Sequence, residues 1–121
     1  MSVKTFSLPR SHRLQNAEAF TSVFHYQHQL RGDFVQIYAR PNGQPFSRLG
    51  LVVSRKVERS AVRRNRVKRL LRETFRTFQI NCNTVKMDWV MRLRRPITSD
   101  ISTEFVAEVR ILMRQLQQCH D

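Results

Sequence analysis

The sequence predicts one α+β domain with the element order α-β-β-β-α-β-α. Three observations carry that reading. Apolar residues recur at helical spacing in one short and two long stretches, and elsewhere they alternate with polar residues at the two-residue period of strands. A chain of 121 residues holds one modest core but not two. No internal repeat or low-complexity stretch interrupts it. The domain is expected over residues 14–116, between a basic arm at 1–13 and a short tail at 117–121.

Taken in order, residues 1–13 read as an extended arm carrying Lys4, Arg10 and Arg13. Asn16 is a helix cap, and Ala17, Phe20, Val23 and Phe24 repeat at i, i+3, i+4 spacing, predicting a short helix to Phe24. Phe20 and Phe24 share a face, and periodicity by itself makes both of them core residues. Three of the four strands can be located. The first, Phe34–Arg40, puts Val35, Ile37 and Ala39 on one face and Phe34, Gln36, Tyr38 and Arg40 on the other. That second face suits stacking of unpaired bases, and equally an ordinary half-exposed sheet. After a turn opened by Pro41-Asn42-Gly43, the second strand, Leu49–Ser54, alternates Leu49, Leu51 and Val53 against Gly50, Val52 and Ser54. Gly50 leaves room on its face for a ligand or a packed helix. Residues 79–86 read as a connecting loop. The third strand, Trp89–Arg94, turns Trp89, Met91 and Leu93 to the core and Val90, Arg92 and Arg94 away from it. Ser102 is read as the cap of a last helix with a core stripe of Phe105, Val106, Val109, Leu112, Met113 and Leu116. The two long helices can cover one side of the sheet, leaving the other side open beside the first helix.

Charge is concentrated before and within the first long helix. Between Arg55 and Arg72, 9 of 18 residues are Lys or Arg, and Glu58 is the single acid. Ser60 can cap the helix, and Val67, Leu70, Leu71, Thr74, Phe75 and Phe78 form its apolar stripe. Asn65, Arg69, Arg72 and Arg76 gather on the opposite side, with Lys68 at its edge. Arg63, Arg64 and Arg66 sit in the first turns, where the helix dipole disfavours cations, and Lys68/Arg72 and Arg72/Arg76 are like charges four apart. A solvated helix face usually mixes signs. This one becomes favourable when a polyanion covers it.

Composition points the same way. The net charge is +13, which opposes compaction and attracts phosphate-bearing partners. Cys82 and Cys119 lack metal-binding or redox spacing and read as reduced thiols of a cytosolic protein. No apolar run approaches the length of a membrane span, and Met1–Arg13 has no signal core, so a cytoplasmic location is expected. An intrinsic nuclease needs a carboxylate cluster or a histidine pair. Here the nine acids are scattered, His25 and His28 have no third ligand nearby, and His12 and His120 are terminal. With glycine only at 32, 43 and 50 there is no phosphate-binding glycine loop. No catalytic residue and no metal ligand is therefore expected. DNA binding is disfavoured because no helix-turn-helix partner precedes the basic helix.

The string Arg64-Asn65-Arg66-Val67-Lys68-Arg69-Leu70-Leu71-Arg72-Glu73 resembles the signature of the bacterial ribonuclease P protein subunit, in which an arginine-asparagine-arginine triplet opens a long helix. Three further strings agree in order. Asn16 to Phe24 is similar to the family's first helix, with two phenylalanines four apart. Leu49 to Lys56 is similar to its second strand and the basic pair after it, and Asp88-Trp89-Val90-Met91 to the unit before its C-terminal helix. The resemblance covers roughly Leu14 to Leu116.

It implies a sandwich similar to a ribosomal-protein domain and to domain IV of elongation factor G, with a left-handed crossover into the sheet. It also implies a function. The family's catalyst is a large RNA that requires Mg2+ and removes the 5′ leader of precursor tRNA, and the protein binds that RNA and the single-stranded leader. Arg63, Arg64, Asn65, Arg66, Lys68, Arg69 and Arg72 would contact the catalytic RNA or the substrate, while Phe20, Phe24, Tyr38 and Lys56 would form the leader cleft. Two departures stand out. Val57-Glu58-Arg59-Ser60 replaces the glycine-asparagine turn of many members, and only Tyr38 carries over with clarity on the first strand's aromatic face. The competing expectation is a ribosomal or ribosome-assembly RNA-binding protein, whose binding would not depend on an unpaired leader.

Overall fold

Alternation and helical period both arise from burial on one side, and the elements form where those patterns lie. The computed structural model describes residues 8–80 and 85–119. Its elements are α1 (Ala17–Tyr26), β1 (Gln29–Arg31), β2 (Val35–Pro41), β3 (Arg48–Val52), α2 (Ala61–Ile80), β4 (Met87–Leu93) and α3 (Ser102–Gln118), in the expected order. They build a four-stranded sheet ordered β1-β2-β4-β3. β4 runs antiparallel to β2 and parallel to β3, with Trp89 opposite both Ala39 and Leu49. The crossover between the parallel pair is α2.

One face of the sheet presents Val35, Ile37, Ala39, Leu49, Trp89, Met91 and Leu93 to Val67, Leu71 and Phe75 of α2 and to Phe105, Val109 and Met113 of α3. Each of the larger aliphatic and phenylalanine side chains contributes about 1.5–3 kcal/mol by leaving water. On the other face Tyr38 and Val90 meet Leu14 and Val23, with Phe20 and Phe24 of α1 packed at the margin. The order of layers is therefore α2 and α3, sheet, α1. The face expected to be open is covered in part by α1.

Two carboxylates tie distant pieces together. Asp88, on the central strand, is buried between Arg40 of β2 and Arg48 of β3. Arg48 donates to its two oxygens from Nε (2.8 Å) and Nη2 (2.7 Å), and Asn42 donates from Nδ2 (2.9 Å). The hydrogen bond to Asp88 raises the Arg48 pKa above its ordinary value, outweighing partial desolvation. A base whose pKa rises on folding contributes stability below its unfolded value, so the pair is intact across neutral pH. Glu108 of α3 accepts from the backbone N–H groups of Asp33 (2.8 Å), Phe34 (2.8 Å) and Val35 (3.0 Å), closing the turn between β1 and β2. A β-carbon at Gly32 would lie 2.4 Å from that carboxylate, so glycine is required for the approach.

Several expectations need correction. β1 is only three residues, Gln-Leu-Arg, with Leu30 packed against the core and its backbone paired with the edge of β2. Phe34 does not share the Tyr38 face: its N–H is taken by Glu108 before the strand begins, and its ring packs edge-on against Phe105 at 6.1 Å. The segment read as an extended arm is docked from Leu8 onward. Leu8 is in the core, Arg10–His12 form a 3-10 turn, and Arg13 bridges to Leu49. Residues 1–7, with Lys4, lie outside the described residues. α1 runs two residues beyond Phe24, and α2 reaches Ile80, past the point where the loop was expected. Ser102 does not cap α3; a 3-10 turn at Ser99–Ile101 leads into it, and the Ser102 hydroxyl donates to the Ser99 carbonyl. α3 takes in Gln117, which is buried, so the tail is shorter than expected. Cys119 is a free, exposed thiol, whereas Cys82 and His120 lie outside the described residues.

Replacing Asp88 by alanine is expected to destabilise the fold by about 3 kcal/mol, the lower end for breaking a buried pair, because the stranded guanidinium can partly rehydrate. Arg48 is 31% exposed. Chemical denaturation measures this, and a loss below about 1 kcal/mol would show that the carboxylate does not lock the sheet.

Candidate nucleic-acid interface

The basic helix is held at its start by local hydrogen bonds. The Ser60 hydroxyl accepts from Arg63 N–H at 3.3 Å, as an N-cap does, and the Ser60 carbonyl accepts the first helical bond from Arg64 at 2.9 Å. Before it, Glu58 is buried and its Oε2 accepts from Ser60 N–H at 3.2 Å. Arg64 Nη1 turns back to donate to the carbonyls of Glu58 and Arg59, both at 3.0 Å. The loop that replaces the glycine-asparagine turn is thus fastened by an acid and an arginine. Arg64 secures the helix start as well as adding charge.

Beyond that point the cations stand unneutralised. Arg63, Asn65, Arg66 and Arg69 are exposed, and Lys68 and Arg72 are half-buried beside the apolar stripe. Among the described residues none of the five cations at 63, 66, 68, 69 and 72 forms an ion pair. The pKa of Arg72 is lowered, first by desolvation and then by repulsion from Arg13, a residue that the docked N-terminal segment carries to the helix. The helix therefore holds its charge at some expense to the fold, and a bound polyanion would relieve it. Arg76 differs, since it pairs with Glu73 at 3.1 Å.

The second feature lies on the α1 side of the sheet. Phe20 rests directly on Gly50, where a β-carbon would come within 2.6 Å of its ring. Its ring centroid is 6.5 Å from that of Phe24, which meets Tyr38 edge-on at 4.7 Å. The expected cleft residues Phe20, Phe24 and Tyr38 are therefore contiguous. Both phenylalanines are half-buried, serving core and surface together, whereas Tyr38 is only 9% exposed and offers little more than an edge. Lys56 is exposed in the loop after β3, away from the aromatic contacts but at the end of the sheet where the basic helix begins. A cavity of about 430 Å³ opens beside the aromatics, lined by Phe24, Gln27, Gln29, Tyr38 and Arg92. Gln27, Gln29 and Arg92 were not among the expected site residues. Arg92 was detectable, because strand alternation sets it on the same side as Tyr38 once the two strands are known to pair.

An aromatic groove on one face of a small sheet, with a row of unpaired cations on the helix that leaves the same sheet, defines a polyanion-binding α+β domain. Comparison with known proteins makes the class specific. The family model described as Ribonuclease P matches residues 8–117. The ribonuclease P protein component of Chromobacterium violaceum is 38% identical over 117 residues, covering 97% of this chain and 95% of that protein. The RNase P protein structure from Thermotoga maritima is similar at a TM-score of 0.65 and 31% identity, covering 90% of this chain and 97% of that one. The Staphylococcus aureus RNase P protein, at 22% identity and a TM-score of 0.72 over 85% and 93% of the two chains, shares the fold. The chain belongs to the ribonuclease P protein family.

Gly50→Ala is expected to destabilise the protein by about 1–3 kcal/mol through overpacking against Phe20. Adding Phe20→Ala should remove most of the cost of the glycine substitution, leaving the milder crowding against Leu14 at 3.1 Å, a coupling that thermal denaturation of the double-mutant cycle reads directly. Independent, additive effects would mean that α1 does not rest on this glycine.

Proposed function

We propose that this chain is the protein subunit of a ribonuclease P whose catalyst is an RNA, and that it assists removal of the 5′ leader from precursor tRNA. The observation that carries this reading is the pairing of the unneutralised α2 cations with a separate aromatic groove on the same domain. The two surfaces suit two parts of one RNA assembly: phosphates of a folded RNA against α2, and an unpaired strand beside α1. Cations at 63, 66, 68, 69 and 72 neutralise backbone charge and release counterions. Phe20, Phe24 and the Tyr38 edge provide faces on which unpaired bases stack, which is sequence-tolerant and excludes duplex. Lys56, on the loop between the two surfaces, would neutralise the strand as it passes.

The protein positions and the RNA reacts in this reading. The reaction's Mg2+ is taken to belong with RNA phosphates. Among the described residues no three His, Cys, Asp or Glu side chains are gathered where they could hold a metal ion, so no step is assigned to a protein-bound one. A cytoplasmic location, where transcripts are matured, is part of the same proposal; among the described residues no helix is long and apolar enough to cross a membrane.

The deciding experiment is cleavage of precursor tRNA at low magnesium by the catalytic RNA alone, the protein alone, and both together. Cleavage at the mature 5′ end by the mixture alone supports the proposal. Cleavage by the protein alone would overturn it, and tight RNA binding without cleavage would favour a ribosomal or assembly role. Arg66→Ala and Arg69→Ala are each expected to weaken binding to the catalytic RNA by about 1–3 kcal/mol and to flatten its salt dependence. Unchanged affinity and slope would remove α2 from the interface. Phe24→Ala is expected to lose about 1–3 kcal/mol of discrimination between precursor and mature tRNA while catalytic-RNA binding is retained. Equal loss for both ligands would indicate a core defect instead.

A further inference from the structure

Arg92 is an unusual residue for its position. It sits on the central strand, opposite Gln36 of β2 and Val52 of β3, on the face that carries Tyr38 and Val90. It is exposed, and among the described residues its side chain makes no ion pair or hydrogen bond. Arg40 and Arg48, the other arginines on strands β2 and β3, both face Asp88. Arg92 faces the cavity of about 430 Å³ instead, with Phe24, Tyr38, Gln27 and Gln29 around it.

Gln27 adds a second, independent observation. It ends α1 with φ of 63°, and among the described residues it is the only non-glycine with positive φ. Glycine, or less often asparagine, is the residue that adopts this helix-ending conformation cheaply. A longer side chain here strains the backbone, and that side chain lines the cavity. Gln29 is tied by the Gln36 amide, which donates to its Oε1, so the Gln29 amide nitrogen is oriented by the sheet. The cavity thus has an aromatic wall of Phe24 and Tyr38 and a polar floor in which Gln29 is held by Gln36 and Arg92 has its donors free.

We propose that Arg92, assisted by Gln27, is a specificity-determining contact that reads the base edge of one nucleotide in the unpaired 5′ strand. This rests on the function proposed above. A base stacked on Phe24 would turn its edge, not its phosphate, toward the floor of the cavity, leaving the phosphate toward solvent. Guanidinium has donors only, in a planar fork, and so selects a base edge with two adjacent acceptors. Guanine, through O6 and N7, is the best match, and adenine, which places a donor beside N7, is a poor one. The base stacked on Phe24 is therefore expected to be guanine in the best substrates.

The test uses the complete enzyme, protein with catalytic RNA, on a pool of precursor tRNAs whose leader nucleotides are randomised. Internal competition yields relative kcat/KM for every base at every leader position. With the wild-type protein, guanine is expected to exceed adenine roughly tenfold at one position. In Arg92→Met, guanine leaders should lose roughly tenfold more than adenine leaders, and Arg92→Gln should shift the preference toward adenine, whose N6 and N7 an amide pairs with. Gln27→Gly should weaken the same preference while leaving thermal stability equal or higher, which a purely structural role would not produce. An unaltered base profile in Arg92→Met overturns the proposal, and so does an equal loss for all leaders, which would mark a phosphate contact. Absence of cleavage by the wild-type complex would instead defeat the underlying function.

Discussion

β3 and β4 lie side by side and parallel, and much else in this molecule follows from that pairing. A parallel neighbour cannot be reached by a tight turn, so the chain must leave the end of β3, cross a face of the sheet and return to its start. The crossing element is α2, whose apolar stripe pays for the passage by packing on Trp89 and its neighbours. Because β3 ends at Val52, opposite Arg92, the basic helix must begin at the same end of the sheet as Arg92. The cationic surface and the aromatic groove are adjacent through topology. No direct contact between the two is needed to keep them in register.

The distribution of acids completes that arrangement. The chain has nine acidic residues against 22 basic ones. Asp88 is buried under Arg48, Glu108 is bound by three backbone N–H groups, Glu58 is buried beneath the start of α2, and Glu73 is paired with Arg76. These carboxylates are engaged in holding the fold, and they do not screen the exposed cations of the first half of α2. The excess positive charge is thus local and directional, which is what recognition of an RNA backbone requires.

Much of this was legible in the sequence because burial on one side imposes a period. The stripe of α2, the inward faces of β2, β3 and β4, and the Asn16 cap, whose side chain accepts from Ala19 N–H at 2.8 Å, all follow from local pattern. Pattern by itself made Phe20 and Phe24 core residues, and their place beside a groove was an expectation from the family resemblance alone. What escaped depends on partners far along the chain. Phe34 leaves the strand pattern because Glu108, 74 residues away, holds its N–H. The docking of Arg13 beside Arg72 and the place of Arg92 at a cavity are likewise products of tertiary contact. Three residues such as Gln29–Arg31 are too few to show a period.

The strand order also has a kinetic meaning. The central strand β4 is the last of the four to be synthesised, and it separates β2 from β3, which have no ladder with each other. Until residues 87–93 emerge, only the short β1–β2 hairpin can form, and the apolar faces of β2, β3 and α2 have no common sheet to cover. Completing the sheet must therefore wait for β4 to join β2 and β3, a non-local step that slows folding relative to a hairpin-by-hairpin sheet. During that interval the nascent chain is both sticky and strongly cationic. A polyanion bound to α2 of the folded domain would screen that self-repulsion and add its binding free energy to the stability of the fold.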